Sequence, residues 1–128
     1  LKGRGGGMVQ ANGARGIMEF REASLLRIFF SEDDIHADGR PLVDAILRAA
    51  HAEGLAGATV LHGRGGYAPS GLKDAHFQFR REALPIIVEI VDVAAKINDF
   101  LPVLDRLVVS GAVTVTSVRY AAIASPSD

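Results

Sequence analysis

The chain has 128 residues, of which 48% are hydrophobic, and its 14 Lys and Arg against 15 Asp and Glu give a formal net charge of −1. This length and composition suit one domain with a compact core. The near-neutral charge gives no general attraction to nucleic acid or anionic lipid, so no nucleic-acid partner is expected. The absence of cysteine excludes disulfides, thiolate nucleophiles and cysteine-based zinc sites. No apolar run approaches the roughly 20 residues that a membrane-spanning helix needs.

The two ends of the chain differ in composition from the rest. Residues 1–17 are rich in glycine and basic residues and show no hydrophobic period, which predicts a disordered leader or an upstream extension. Residues 18–124 are expected to form one domain, and residues 125–128 a loose tail. Because the first residues lack the apolar core of a signal peptide, we expect a cytoplasmic protein.

A strand and a helix are the first predicted elements. Ser24–Phe30 alternates with a period of two and carries apolar side chains on both faces, which predicts a strand. A polar stretch follows, and a helix is predicted to start at Pro41, because proline loses no hydrogen bond in a first helical turn. Gly54 is expected to end this helix in the left-handed conformation. One apolar stripe marks the helix: Leu42, Ala45, Ile46 and Ala49.

The remaining sequence predicts a second strand–helix–strand order. A helix is predicted within Ala94–Val108, where Pro102 either kinks it or places its true start near Asp99. Proline is tolerated at the first position of a strand. Three further strands are predicted: Ala58–His62, Pro85–Val91 and Val113–Ile123.

This order predicts an α+β, ferredoxin-like βαββαβ fold, with a four-stranded antiparallel sheet and both helices on one face. The other face of the sheet then has no cover, although the first and third strands carry apolar residues on both faces. A monomer would expose a large apolar patch. We therefore expect the chain to associate with itself through that face.

The glycine-rich segment after the second strand is the main candidate for ligand binding. Gly63–Lys73 contains four glycines and one proline, which predicts a mobile loop extending to Ala83, although the alternating His76–Arg80 could continue a strand. Gly63–Ala68 matches a G-x-G-x-x-A pattern, but a dinucleotide site needs a helix to open there and the sequence continues with Pro69. An ordinary flexible loop and a loop whose amides and Arg64 bind an anion or a partner protein both stay open.

Other polar residues allow several interpretations. Asp34–Gly39 imitates the start of a calcium loop, but Ala45 stands where such a loop needs a bidentate Glu. Glu89, in the most apolar strand, is either paired at an interface or a general base. Arg119 is either part of an interface salt bridge or an anion ligand. No serine, threonine or lysine shows a local nucleophile signature, so we do not expect an enzyme.

Two stretches of the sequence resemble the P-II signalling superfamily. Glu53–Tyr67, followed by a loop and PIIVEIVD, is similar to its helix–strand–loop–strand pattern, matching at Gly54, Gly57, Thr59 and Val60. A family of short, largely uncharacterised P-II-like proteins is more similar still. That narrower resemblance rests on Ile97–Asp105 and on Gly39, Arg40, Pro41 and Leu42, and the likeness covers Ser24–Ile123.

The resemblance implies a homotrimer whose clefts between subunits receive a small anionic effector, such as an adenine nucleotide. It also implies that the glycine-rich loop signals to a protein target, often a membrane transporter or channel. P-II proteins carry a Gly-Asp-Gly-Lys phosphate loop where this chain has 109–112, Val-Ser-Gly-Ala, so we expect a ligand with fewer phosphates than ATP. The candidate ligand-binding residues are Thr59, His62, Gly63, Arg64, Gly65, Gly66, Tyr67 and Arg119.

Two alternative functions stay open. The first is a trimeric metal-tolerance protein of the same fold, in which His62 and His76, which flank the loop, hold the metal. The second is a small ferredoxin-like enzyme such as a monooxygenase. Such an enzyme would need a buried His, Asn or Trp constellation, and the chain has no Trp.

Overall fold

The computed structural model describes residues 18–66 and 84–123. The predicted leader, the tail and most of the glycine-rich segment, including Tyr67 and His76, lie outside the described residues. The elements in the described ranges are β1 (Arg21–Ser31), α1 (Leu42–Ala52), β2 (Thr59–His62), β3 (Pro85–Asp92), α2 (Ala94–Leu107) and β4 (Ala112–Tyr120).

The strands form one four-stranded sheet in the order β2-β3-β1-β4. β1 pairs antiparallel with β3 and with β4, and β2 pairs antiparallel with β3. The connection through α1 therefore passes over β3, and the connection through α2 passes over β1, as two interleaved strand–helix–strand units require. This topology confirms the predicted ferredoxin-like βαββαβ fold.

The core lies between the sheet and the two helices. Alternate residues of the central strands point into it, and Leu26, Ile28, Val88 and Ile90 are each fully buried. Both helices contribute to the same cluster, so both cover the same face of the sheet. The helix residues in this cluster are Leu42, Ile46, Ala50, Ile97, Phe100 and Leu104.

α1 ends as its sequence predicts. Gly54 has φ +80°, in the left-handed region. Its N–H donates to the carbonyl of His51 at 3.0 Å, and the N–H of Leu55 donates to the carbonyl of Ala50 at 3.1 Å. These two bonds are those of a Schellman motif, and they satisfy carbonyls that the helix end would otherwise leave free.

α2 departs from one of the two expectations for Pro102. The helix begins at Ala94 and contains Pro102 in its interior, so the predicted start near Asp99 is wrong. Pro102 is exposed, whereas Ile97, Phe100 and Leu104 are almost completely buried on either side of it. Burial of this stripe outweighs a local cost of about 3 kcal/mol for proline inside a helix.

Strand pairing explains where the predicted limits of the strands were inaccurate. β1 starts at Arg21, three residues before the predicted Ser24, because it pairs with β4 as far as Tyr120. β4 ends at that same pair and not at Ile123. β2 begins at Thr59 and not at Ala58.

Within residues 18–66 and 84–123, neither helix is long and apolar enough to cross a membrane.

Candidate functional site

The sheet has an open face, defined here as the face opposite the two helices. The register places Thr59, Glu89, Arg27 and Thr114 side by side across all four strands of this face. We call these four residues the polar row. Arg27 Nε donates to Glu89 Oε2 at 2.8 Å within it. Glu89 therefore has a charged partner in its own chain.

Largely apolar rows flank the polar row on the open face. The loop-side row lies toward the end of β2 and consists of Leu61, Ile87, Phe29 and Ala112. The far row consists of Val91, Leu25 and Thr116. Leu61 is 42% exposed, and Phe29, Ile87, Leu25 and Val91 are half-buried. The expectation of a sheet with apolar side chains on an uncovered face is therefore met in the described chain.

The edge strand β4 is also poorly covered on the helix side. Val113 and Val115 pair with the buried Ile28 and Leu26, so they lie on the helix-facing side of the sheet. They are nevertheless 45% and 47% exposed. α2 packs mainly over β1 and β3, the two central strands.

The loop base, defined as Gly63–Gly66 together with Leu84 and Pro85, lies at one end of the sheet. Gly63 N–H donates to the carbonyl of Pro85 at 2.8 Å, and a Cβ at Gly63 would come within 2.8 Å of the Pro85 ring. Leu84 is held by Glu32, whose backbone N–H donates to the Leu84 carbonyl at 2.8 Å. The two ends of the glycine-rich segment are thus fixed against β1 and each other.

The structure brings most of the predicted ligand residues together and separates one. Thr59, His62 and Gly63–Gly66 follow one another along β2 and the loop base, with Thr59, His62 and Arg64 exposed. Arg119 pairs with Glu22 near the start of β1, whereas the loop base lies beside Ser31 at its end. At roughly 3.3 Å per residue these two ends are about 30 Å apart. Within one chain, Arg119 is therefore too far from the loop base to contact the same small ligand.

Arg119 lies beside an aromatic ring that sequence reasoning missed. Its guanidinium carbon stands 4.6 Å from the centre of the Phe20 ring, a cation–π arrangement. Although Glu22 is opposite Arg119 in the register, no ion pair of Arg119 occurs among the described residues. A shallow concave surface adjoins this contact and is lined by Glu19, Phe20, Arg21, Tyr120 and Ala122. The sequence signal for this contact was an aromatic residue next to an arginine, which occurs at the start of β1 (Phe20 and Arg21) and again at the end of β4 (Arg119 and Tyr120).

The segment between β1 and α1 uses its polar side chains for its own turns. Asp38 accepts a hydrogen bond from the backbone N–H of Arg40 at 3.0 Å, and its carboxylate lies 3.0 Å from both His36 Nδ1 and Arg40 Nε. The Arg40 N–H first, and then the His36 hydrogen bond, lower the pKa of Asp38 below its ordinary 3.8. Asp34 accepts from the Ser31 N–H at 3.0 Å. Among the described residues, no group of three or more His, Asp or Glu is placed to hold a metal ion.

The turn between α1 and β2 is held by residues of β3 and α2. Asp92 Oδ2 accepts a hydrogen bond from the Ala56 N–H at 2.9 Å, and Lys96 Nζ donates to the Gly54 carbonyl at 2.8 Å. These bonds fix the Gly54–Gly57 turn that leads into Thr59. Gly54 and Ala56 are therefore held by partners far away in the sequence.

The turn between α2 and β4 is the segment compared above with the P-II phosphate loop. A Cβ at Gly111 would come within 2.6 Å of the Phe29 carbonyl oxygen, so β1 and this turn approach too closely for any side chain there. Val109 in the same turn is 97% exposed. The turn, residues 108–111, offers no basic side chain to a phosphate.

Comparison with known proteins shows which family the chain belongs to. The profile of the DUF190 family, whose members are uncharacterised, matches residues 23–120. The chain belongs to this family. A UPF0166 protein of Aquifex aeolicus (strain VF5) is 40% identical over 85 residues, which cover 66% of this chain and 80% of the relative. A UPF0166 protein of Methanocaldococcus jannaschii is 32% identical over 87 residues, covering 68% and 80%.

Solved structures of PII-like proteins share the fold of this DUF190 chain. CPII, a nitrogen regulatory PII-like protein from Thiomonas intermedia K12 bound to ADP, AMP and bicarbonate, matches with TM-score 0.54 and 15% identity, covering 81% of this chain and 92% of CPII. A candidate PII-like signalling protein from Thermus thermophilus matches with TM-score 0.52 and 16% identity, covering 83% and 94%. These structures confirm the predicted P-II-like fold, and the family match confirms the prediction of a largely uncharacterised family.

Proposed function

We propose that this DUF190 protein is a cytoplasmic, P-II-like regulator that works as a homotrimer and senses a small anionic effector. The effector binds between subunits, and the glycine-rich loop reports its presence to a protein target, such as a membrane transporter or channel. The proposal includes no catalytic step. A single observation carries it: the loop base and Arg119, both candidate anion ligands, lie at opposite ends of the sheet of one chain.

This separation favours a site shared by two subunits. In such a site, one subunit supplies the amides of Gly65 and Gly66 and the guanidinium of Arg64, and its neighbour supplies Arg119. Glycines allow close approach of a phosphate or carboxylate to the backbone. The arginines add charge-assisted hydrogen bonds. Thr59 and His62, on the strand that leads into the loop, are placed to contact the polar part of the effector.

Two uncovered surfaces support self-association. The open face carries the half-buried Leu25, Phe29, Ile87 and Val91. The helix-facing side of the edge strand leaves Val113 and Val115 half exposed. Further copies packed on these surfaces would remove apolar area from water, which favours assembly by about 25 cal/mol per Å².

The proposed effector has fewer phosphates than ATP. The turn at 108–111 has no basic side chain, and Gly111 leaves no space for one at its position. A mono- or diphosphate of adenosine, or a small carboxylate or bicarbonate, suits this site better. The ADP, AMP and bicarbonate bound to CPII, a protein of the same fold, belong to this class.

A thermal-shift screen tests the proposed function. We expect ADP, AMP or bicarbonate to raise the melting temperature of the full chain more than Mg-ATP does. An effector at 100 times its dissociation constant adds about 2.7 kcal/mol of stability. Divalent metals in the same screen test the metal-tolerance alternative. A rise with a metal alone, and none with any anion, would replace the proposed function with that alternative.

A further inference from the structure

The polar row is continuous across the sheet. Thr59, Glu89, Arg27 and Thr114 occupy neighbouring positions on β2, β3, β1 and β4. We propose that this row sets the register in which copies of the chain assemble through their open faces, with Arg27 of one copy meeting Glu89 of the next. The inference rests on the self-association in the proposed function and names the residues that determine its geometry.

The charges of the row favour a second copy as the occupant of the open face. Each chain carries one cation and one anion in this row, so each copy presents the complement of both. The Arg27 and Glu89 side chains retain 42% and 28% exposure although they bond each other at 2.8 Å. Arg27 has further N–H donors and Glu89 a further oxygen beyond this one bond, which leaves capacity for a partner.

The apolar rows on either side explain why a contact between Arg27 and Glu89 of two copies would fix the alignment of their open faces. A shift by two residues along β1 would place Arg27 of one copy against the level of Phe29 or Leu25 of another, where the rows are largely apolar. There the remaining N–H donors of Arg27 and the second oxygen of Glu89 would be enclosed without a partner, which is unfavourable even though the two side chains bond each other. Apolar rows alone would allow such a shift, because they favour contact without favouring one alignment.

Threonines complete the row at both edges. Thr59 and Thr114 are exposed, and their hydroxyls can donate and accept. They extend the polar row to the two edge strands of the sheet. The pair at the centre is therefore flanked by groups that can bond to either charge of a neighbouring copy.

Mixing two charge-reversed variants tests the proposal. Arg27→Glu leaves two negative side chains in the row of one chain, and Glu89→Arg leaves two positive ones. We expect each variant alone to need at least a tenfold higher concentration than wild type for assembly in light scattering. Differently tagged copies of the two variants, refolded or expressed together, should assemble with each other at a clearly lower concentration than either variant alone. Full recovery to the wild-type concentration is not expected in a trimer, because only two of its three contacts can then join opposite charges. Within each variant chain the pair stays repulsive, so recovery in the mixture can arise only between chains.

Matched controls carry the same charge changes on exposed helix positions. Arg48→Glu in α1 and Asp99→Arg in α2 should assemble as wild type. If circular dichroism shows that either reversed variant does not fold, Arg27→Gln and Glu89→Gln take their place. The mixture of these two variants should again assemble at a lower concentration than either variant alone.

Three results would overturn the inference. The first is that the single variants assemble like wild type. The second is that a mixture of the folded variants stays dissociated. A wild-type chain that is monomeric at micromolar concentration would remove the self-association of the proposed function and this inference with it. Loss of effector binding in an assembled wild type would instead contradict the proposed function alone.

Discussion

Gly111 shows how one residue limits the turn before β4. A Cβ at this position would lie 2.6 Å from the Phe29 carbonyl oxygen and 3.2 Å from a methyl group of Val108. The backbone of β1 would have to move, and overpacking of this kind typically costs about 1–3 kcal/mol. We therefore expect Gly111→Ala to lower the free energy of unfolding by that amount in urea denaturation. Gly57→Ala is the control, because its Cβ would meet nothing within 4 Å; equal stability of both variants would contradict the predicted clash.

Asp38 predicts a small, pH-dependent contribution to stability. Its pKa is lowered from 3.8 in the folded chain, chiefly by the backbone N–H of Arg40. The folded state then binds fewer protons than the unfolded state, so the stabilisation is present above about pH 4 and is lost as pH falls through the lower, folded-state pKa. Asp38→Asn should be less stable than wild type at pH 7, and this difference should shrink as the pH falls below about 4. A difference that is independent of pH would assign the effect to packing.

Arg119 is the residue that most directly tests the composite site. If it binds the effector, Arg119→Ala should reduce affinity for ADP at least about tenfold in calorimetry, which is about 1.4 kcal/mol. Arg48→Ala, on the exposed side of α1, is a control for the loss of one positive charge. Equal affinity in wild type and Arg119→Ala would limit Arg119 to its contact with Phe20. Tight binding of Mg-ATP would show that the missing phosphate loop does not decide the ligand.

At the scale of elements, α2 contains a proline that lowers its stability and can be replaced. Pro102 is exposed in the interior of the helix and has no N–H to donate to the preceding turn. Pro102→Ala restores that donor without touching the buried stripe, so we expect a gain of about 1–3 kcal/mol in the free energy of unfolding. Asp105→Ala, also exposed in α2, controls for the general effect of alanine. A loss of stability in Pro102→Ala would mean that the proline fixes the helix geometry.

Elements with a strong local period could be predicted from the sequence, and their limits could not. The alternation in β1 and β3 separates Leu26, Ile28 and Val88, which are buried, from their outward neighbours. Gly54 marked the end of α1 because a left-handed C-terminal residue is a local requirement. The start of β1 at Arg21 depends on pairing with Tyr120, far away in the chain, and no local signal predicts it.

Sequence reasoning could group candidate site residues only where they are close in sequence. Thr59, His62 and Gly63–Gly66 form one run, so the pattern identified them together. The contact between Phe20 and Arg119 joins the two ends of the domain and follows from strand register alone. The bond from Ala56 to Asp92 is likewise a product of the topology. Local reasoning also could not show that Arg119 and the loop base lie at opposite ends of the sheet.

At the scale of the whole molecule, the open face is the surface through which the proposed function has the copies assemble. The same face carries apolar rows that favour assembly and a polar row that is charged at its centre. If effector sites lie between subunits, assembly must precede sensing, and any change that separates the copies will remove ligand binding as well. Under the proposed function, the effector site therefore depends on assembly of the whole molecule.

Ile87→Glu tests this dependence. Ile87 lies on the open face between Leu61 and Phe29 and is half-buried, whereas its neighbour Ile86 is 2% exposed in the core. A carboxylate at position 87 can stay in water in a separated chain but would be enclosed in an assembled one, at a cost of several kcal/mol. We expect Ile87→Glu to keep its circular dichroism and to fall to the mass of one chain in light scattering, with ADP binding lost at the same concentration. Ile86→Glu should unfold the chain instead, because it places the charge beneath the helices. An Ile87→Glu protein that still assembles would show that copies meet through another surface, of which the exposed Val113 and Val115 edge is the next to test.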